Sequence, residues 1–145
     1  MEWTGLAGEE AGLLLQQLVE NAYDGIYMTD ADGKTVCYNQ AFLRISGLMP
    51  EQLDNRTVYD LLANGWIPNS CVLKTLETGE TANEIIRYYN GSEALVTAVP
   101  VYNHEGRLFR VIAQVRDLSE LNRLKRELER SQHIRWLQSQ KLEKV

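Results

Sequence analysis

The sequence predicts an α+β domain: a five-stranded antiparallel sheet with short helices on one face, one helix before it and one long helix after. Three observations predict it. The hydrophobic period switches along the chain in the order helix, two strands, several short helices, three strands, helix. Asp32-Gly33, Asn90-Gly91 and Glu105-Gly106 stand between alternating apolar runs, the signature of tight hairpins. Finally, Arg107 to Arg116 carries apolar residues on both parities, with Val111, Ala113 and Val115 on one and Leu108 and Ile112 on the other. That pattern predicts a central strand covered on both faces.

Each element has its own local reason. Glu9 to Ala22 sets Leu14, Leu15, Leu18, Val19 and Ala22 at helical spacing and stops before Asp24-Gly25. GIYMTD (Gly25 to Asp30) and KTVCY (Lys34 to Tyr38) alternate around a tight turn and form a hairpin. At Asn39 the period becomes helical: Asn39 is a good N-cap, Ala41, Phe42 and Ile45 share a face, and Gly47 closes the helix. Pro50 opens a short helical piece, and Val58 to Ala63 a second, closed by Asn64-Gly65. A better helix runs from Asn69 or Ser70 to Leu76, with Gly79 as its stop. Strands Thr81 to Tyr89, Ala94 to Tyr102 and Arg107 to Arg116 then form a meander, and a charged helix begins near Ser119.

Composition narrows the function. The chain has 145 residues, 44% of them hydrophobic and 24% charged, enough for one domain with a tail. Its net charge of -5 argues against direct nucleic-acid binding, and Arg123, Lys125, Arg126 and Arg130 alternate with glutamates as on a solvated helix face. Two cysteines outside any CxxC spacing, Cys37 and Cys71, fit a reducing compartment and are read as small core residues. No apolar run approaches the roughly 20 residues a membrane span needs, and Met1 to Glu10 has no secretory pattern, so a cytoplasmic protein is expected. His104 falls in a turn and His133 on a charged helix, without metal-ligand spacing. There is also no phosphate-binding glycine loop and no paired carboxylate in a buried context, so the sequence argues against an enzyme.

Two stretches and the order of elements carry a resemblance. DGIYMTDADGKTVCYNQAF (Asp24 to Phe42) resembles the opening hairpin and helix start of the PAS family of sensory domains. VRDLSELNRLKREL (Val115 to Leu128) is similar to that family's Asp-Ile-Thr junction, here Asp117-Leu118-Ser119. The resemblance covers roughly residues 14–120. Within the family the AYDGIYMTD opening and the exit sequence look most like sensory domains that precede the AAA+ module of bacterial sigma-54-dependent transcriptional activators. It implies an N-terminal segment over residues 1–13, a sensor domain over 14–118 and a coiled-coil linker helix over 119–145. The AAA+ and DNA-binding domains would belong to the full-length protein. A sensor histidine kinase input and a purely structural dimerisation domain are the alternatives.

The resemblance also points to a ligand face. Tyr27, Tyr38 and Phe42 are implied to point inward, with Leu62, Trp66, Ile67, Val72 and Leu76 closing the other side, unless all of these simply fill the core. Tyr88, Thr97 and Gln114 are the polar sheet positions to watch, since a glutamine in an apolar strand must find a ligand, water or a partner. The helix over residues 69–79 has no histidine for haem, and Cys71 lacks the neighbours of a flavin-photosensor cysteine. The sequence therefore argues against haem and flavin and leaves a small organic ligand or none.

At the junction, Asp117 and Ser119 both suit the helix N-terminus. Downstream, Leu121, Leu124 and Leu128 make one heptad-like seam, lost at Ser131 and Arg135 and regained at Leu142 and Val145, while Ile134 and Leu137 start a shifted register. A homodimer through the first and last helices, with a register that changes between states, is the expectation.

Overall fold

The computed structural model describes residues 7–143. Val145, residues 1–6 of the N-terminal segment and the side chain of Leu142 lie outside the described residues. The elements are α1 (Gly8–Glu20), β1 (Gly25–Asp30), β2 (Thr35–Tyr38), α2 (Gln40–Ser46), α3 (Pro50–Leu53), α4 (Val58–Ala63), α5 (Cys71–Thr78), β3 (Ala82–Arg87), β4 (Glu93–Tyr102), β5 (Leu108–Asp117) and α6 (Ser119–Glu143). The strands form one antiparallel sheet in the order β2-β1-β5-β4-β3. The last strand in sequence, β5, thus lies at the centre, as its apolar content on both parities predicts.

The hairpin turns form where glycine permits them: Gly33, Gly91 and Gly106 all take positive φ. Asn39 caps α2 by accepting the Phe42 N–H, and Gly47 closes that helix in the left-handed conformation at φ 72°. Gly79 closes α5 in the same way.

The core lies between α2 to α5 and the sheet face formed by Tyr27, Val96, Val111, Ala113 and Val115. Three alanines at sheet centre, Ala94, Ala98 and Ala113, have relative exposures of 2% or less and let α5 lie close over the sheet. The approach is near enough for the Thr75 hydroxyl to donate to the Ala98 carbonyl at 3.2 Å and the Cys71 thiol to the Ala82 carbonyl at 3.3 Å. These bonds satisfy polar groups that burial would otherwise penalise.

Two expectations are corrected. The outer face of β5 is not fully covered: Ile112 is half-buried, while Gln114 and Arg116 are exposed. There α1 borders a surface groove that it shares with Met28 on β1 and Cys37 on β2. Cys37 is accordingly half-buried under α1, and only Cys71 is a core residue. Most of the apolar face of α1 also has no cover within the chain, with Leu14, Leu15 and Leu18 at 43%, 56% and 63% exposure. An amphipathic pattern shows that a helix wants a partner surface, and a single chain does not reveal which one.

Leu53 on α3 has no exposed surface and α1's Leu13 is 59% exposed. Leu53→Ala is expected to lower unfolding free energy by about 2–5 kcal/mol through lost transfer energy and a cavity. Leu13→Ala should change it by no more than about 0.5 kcal/mol in dilute monomer. Urea denaturation of both variants measures the contrast.

Candidate ligand cavity and signalling junction

A small cavity of about 30 Å³ lies inside the core between the sheet and the short helices. Its walls include Tyr27, Phe42, Ile67, Val72 and Tyr88 from the sequence-predicted set, joined by Leu48, Val58, Leu61 and Cys71. Tyr27 and Phe42 stack with ring centroids 5.0 Å apart. The volume matches the share of one water in the liquid and is far below the roughly 300–1,000 Å³ of an ordinary ligand pocket. As folded, this core is nearly filled.

The remaining predicted residues are placed elsewhere. Leu62, Trp66 and Leu76 are half-buried and pack on the core without lining the cavity. The Arg56 guanidinium lies 5.0 Å from the Trp66 ring centroid. Tyr38 packs at the core edge and donates from its hydroxyl to Asp54 at 2.6 Å. Desolvation, and then the Asp54 carboxylate, push its pKa up to about 12. Thr97 and Gln114 face away from the cavity. Paired across β4 and β5, they lie on the outer side of the sheet, where Thr97 bonds Asn83 at 2.7 Å and Gln114 donates to Asp24 at 2.8 Å. Strand alternation makes this a parity question, and in β5 the buried parity is Val111, Ala113 and Val115.

Asn39 plays a role that its N-cap signal alone does not reveal. Its side-chain amide is 1% exposed and makes four hydrogen bonds. Nδ2 donates to the Val19 carbonyl of α1 at 2.7 Å and to the Asp24 carbonyl at 3.1 Å. Oδ1 accepts from Ile26 on β1 and Phe42 on α2, both at 2.9 Å. One residue thereby joins the end of α1, the start of β1 and the first turn of a helix that walls the cavity. The Asp24 carboxylate extends the connection to β5 through Gln114 and lies 3.8 Å from Arg116. Gly25 fits between, because a Cβ there would meet the Phe42 Cα at 2.9 Å and the Val115 Cβ at 3.1 Å.

Directly after Arg116, β5 becomes α6. The Asp117 carboxylate accepts the Ser119 N–H at 2.9 Å, and the Leu118 N–H donates to the Glu93 carbonyl of β4 at 2.8 Å. The first turn of α6 is therefore fastened to the sheet by both side chain and backbone. Beyond it Leu121, Leu124 and Leu128 are 49–61% exposed, as a seam awaiting a partner would be. His133 stacks on Trp136 farther along the helix. Among the described residues no group of three or more His, Cys, Asp or Glu could hold a metal, and no helix is long and apolar enough to cross a membrane.

A central β5 feeding a fastened, protruding helix, with short helices enclosing a core cavity, defines a sensory-type α+β domain. The PAS domain family model matches residues 24–120, more than half of the chain, and the chain belongs to that family. PAS domains are sensory and signalling modules. Solved structures repeat the fold. An RNA-binding light-oxygen-voltage receptor superimposes with a TM-score of 0.67 at 20% identity, over 92% of this chain but 40% of the receptor. The PAS domain of an HTR-like protein from Haloarcula marismortui gives 0.55 at 22% identity, over 75% of this chain and 93% of that one. The PAS domain of Bordetella pertussis BvgS gives 0.53 at 16% identity, over 83% and 98%. At these identities the likeness is one of fold. No curated protein matches the chain.

Two outcomes follow from the site. Asn39→Ala is expected to lower unfolding free energy by about 2–4 kcal/mol, since it removes a cap and strands buried backbone groups; a loss below about 1 kcal/mol in chemical denaturation contradicts the hub role. Burial raises the Tyr27 pKa to about 12, above its ordinary value of 10.0. The unfolded chain therefore ionises first, so the tyrosine's contribution is intact below pH 10 and declines as pH rises toward 12. Tyr27→Phe should flatten the loss of stability between pH 9 and about 11.5, measured by urea unfolding at each pH.

Proposed function

We propose that this chain is the signal-input module of a sigma-54-dependent transcriptional activator, a homodimer that senses a small ligand or partner and transmits through α6 to an AAA+ module. The observation that carries the transmission is the junction, where Asp117 and Leu118 fasten α6 to the central and neighbouring strands. A movement of β5 then becomes a movement of α6 with little slack. The dimer reading rests on exposed leucines on both flanking helices. On this reading residues 1–13 lead into the sensor, 14–118 sense and 119–145 link to the output.

Two other readings have specific support. Solved neighbours include the domain of a putative light and redox sensing histidine kinase from Haloarcula marismortui and a sensory box sensor histidine kinase from Vibrio cholerae, which fits an input to a kinase instead. The nearly filled core favours a dimerisation domain without a ligand. Thermal-shift screening with native mass spectrometry separates ligand from no ligand, and the sequence following residue 145 separates activator from kinase.

Asp117→Ala tests transmission. In the isolated chain, hydrogen exchange at the first-turn amides of α6 should speed up about fivefold, corresponding to about 1 kcal/mol of capping. In the full-length protein, output should lose its response to input. Unchanged exchange and unchanged regulation together would remove the junction as the transmission point.

A further inference from the structure

The apolar surface of α1 is wider than its own sheet covers. Successive residues on a helix are turned by about 100°, so Leu15 and Val19 form one stripe and Leu14 and Leu18 form a second, about 100° away. The first stripe lines the groove of about 450 Å³ that α1 shares with Met28 and Cys37. The second stripe is exposed, and Glu10 lies on it one turn before Leu14.

The outer face of the sheet has a matching character. Cross-strand pairing sets Cys37, Met28, Ile112 and Val99 in one apolar row running from β2 to β4. The groove takes in Cys37 and Met28, while farther along the row Ile112 is half-buried and Val99 is 42% exposed. Two residues before Ile112, on the same side of β5, stands Arg110. Its guanidinium lies 4.1 Å from the Phe109 ring centroid and forms no ion pair among the described residues. The acid opposite it on β1, Asp30, is already bonded to the hairpin amides of Asp32 and Lys34.

We propose that the Glu10–Leu14–Leu18 stripe of α1 seats on the outer sheet face of a second copy of this chain, over Ile112 and Val99, with Glu10 against Arg110 of that copy. This rests on the homodimer reading and gives α1 a sheet as its partner in place of another helix. Each α1 is then held between two sheets, with Leu15 and Val19 on its own and Leu14 and Leu18 on the other. A twofold axis repeats the contact in both directions. The spacings agree: Glu10 and Leu14 are about 6 Å apart along the helix, and Arg110 and Ile112 about 7 Å apart along the strand. Charge selects this seating over a parallel zipper of two α1 helices. In the zipper Glu10 would face its own copy, whereas on the sheet it meets a cation.

The test measures dimer dissociation of the chain by sedimentation equilibrium, with melting temperatures in dilute solution as the check on folding. Val99→Glu and Leu18→Glu should each weaken the dimer at least about tenfold, because each buries a charge in an apolar contact. Both should shift the dilute melting temperature by less than about 5 °C. Arg110→Glu should weaken the dimer at least about threefold, and the double variant Arg110→Glu with Glu10→Arg should return to within about twofold of wild type. A double variant no tighter than Arg110→Glu alone overturns the proposal. So does a Val99→Glu dimer as tight as wild type; if Leu124→Glu then dissociates the chain, the homodimer reading stands with α6 as its seam. If wild type remains monomeric up to about 0.5 mM, the homodimer reading falls and this inference falls with it.

Discussion

The side-chain amide of Asn39 is the interaction on which most of this architecture depends. It offers two donors and two acceptor positions, and all four are used on groups from separate parts of the chain. A hydrophobic contact there would tolerate sliding, whereas four directed bonds in a buried setting fix angle as well as distance. The termination of α1, the start of β1 and the initiation of α2 are thereby set together. Gly25 completes the arrangement by leaving room for Phe42 and Val115 to close on the same point.

That fixed corner explains why the site divides into a rigid and a yielding half. Phe42 and Tyr27 stack beside the Asn39 network and are held by strand and helix at once. Across the cavity stand α4, a helix of six residues, and Ile67 in the connection to α5. Short helices with few backbone bonds of their own depend on packing for their stability. Any enlargement of the small cavity is therefore easier on the α4 side than on the sheet side.

Much of the fold was legible in the sequence because its signals are local. Gly33, Gly91 and Gly106 mark turns through the φ values they permit, Asn39 and Gly47 bracket α2, and the mixed parity of β5 announces its central place. The site was legible only in part. Tyr27, Phe42, Ile67, Val72 and Tyr88 do meet in the cavity, but Thr97 and Gln114 lie on the other face, because β4 and β5 each have apolar residues on both parities and alternation alone cannot orient them. The Asn39 bonds to Val19 and Ile26 had no signal beyond the helix cap: partners separated by 20 and 13 residues are brought together by tertiary structure. The covering of α1 was illegible for a different reason, since its leucines face outward from the single chain.

The exposed helices also bear on how small an input could matter. Coupling between two sites in one molecule is commonly worth about 1–3 kcal/mol. A long, regular leucine zipper would hold one register against a bias of that size. In α6 the seam of Leu121, Leu124 and Leu128 stops, and Ile134 and Leu137 restart it in a different phase, so neither register gathers a full set of buried contacts. The two arrangements can then lie close in energy. On the proposed reading, a junction fastened at Asp117 and Leu118 and joined to a broken seam is the arrangement in which a small bias at the sheet would be enough to shift the register of α6.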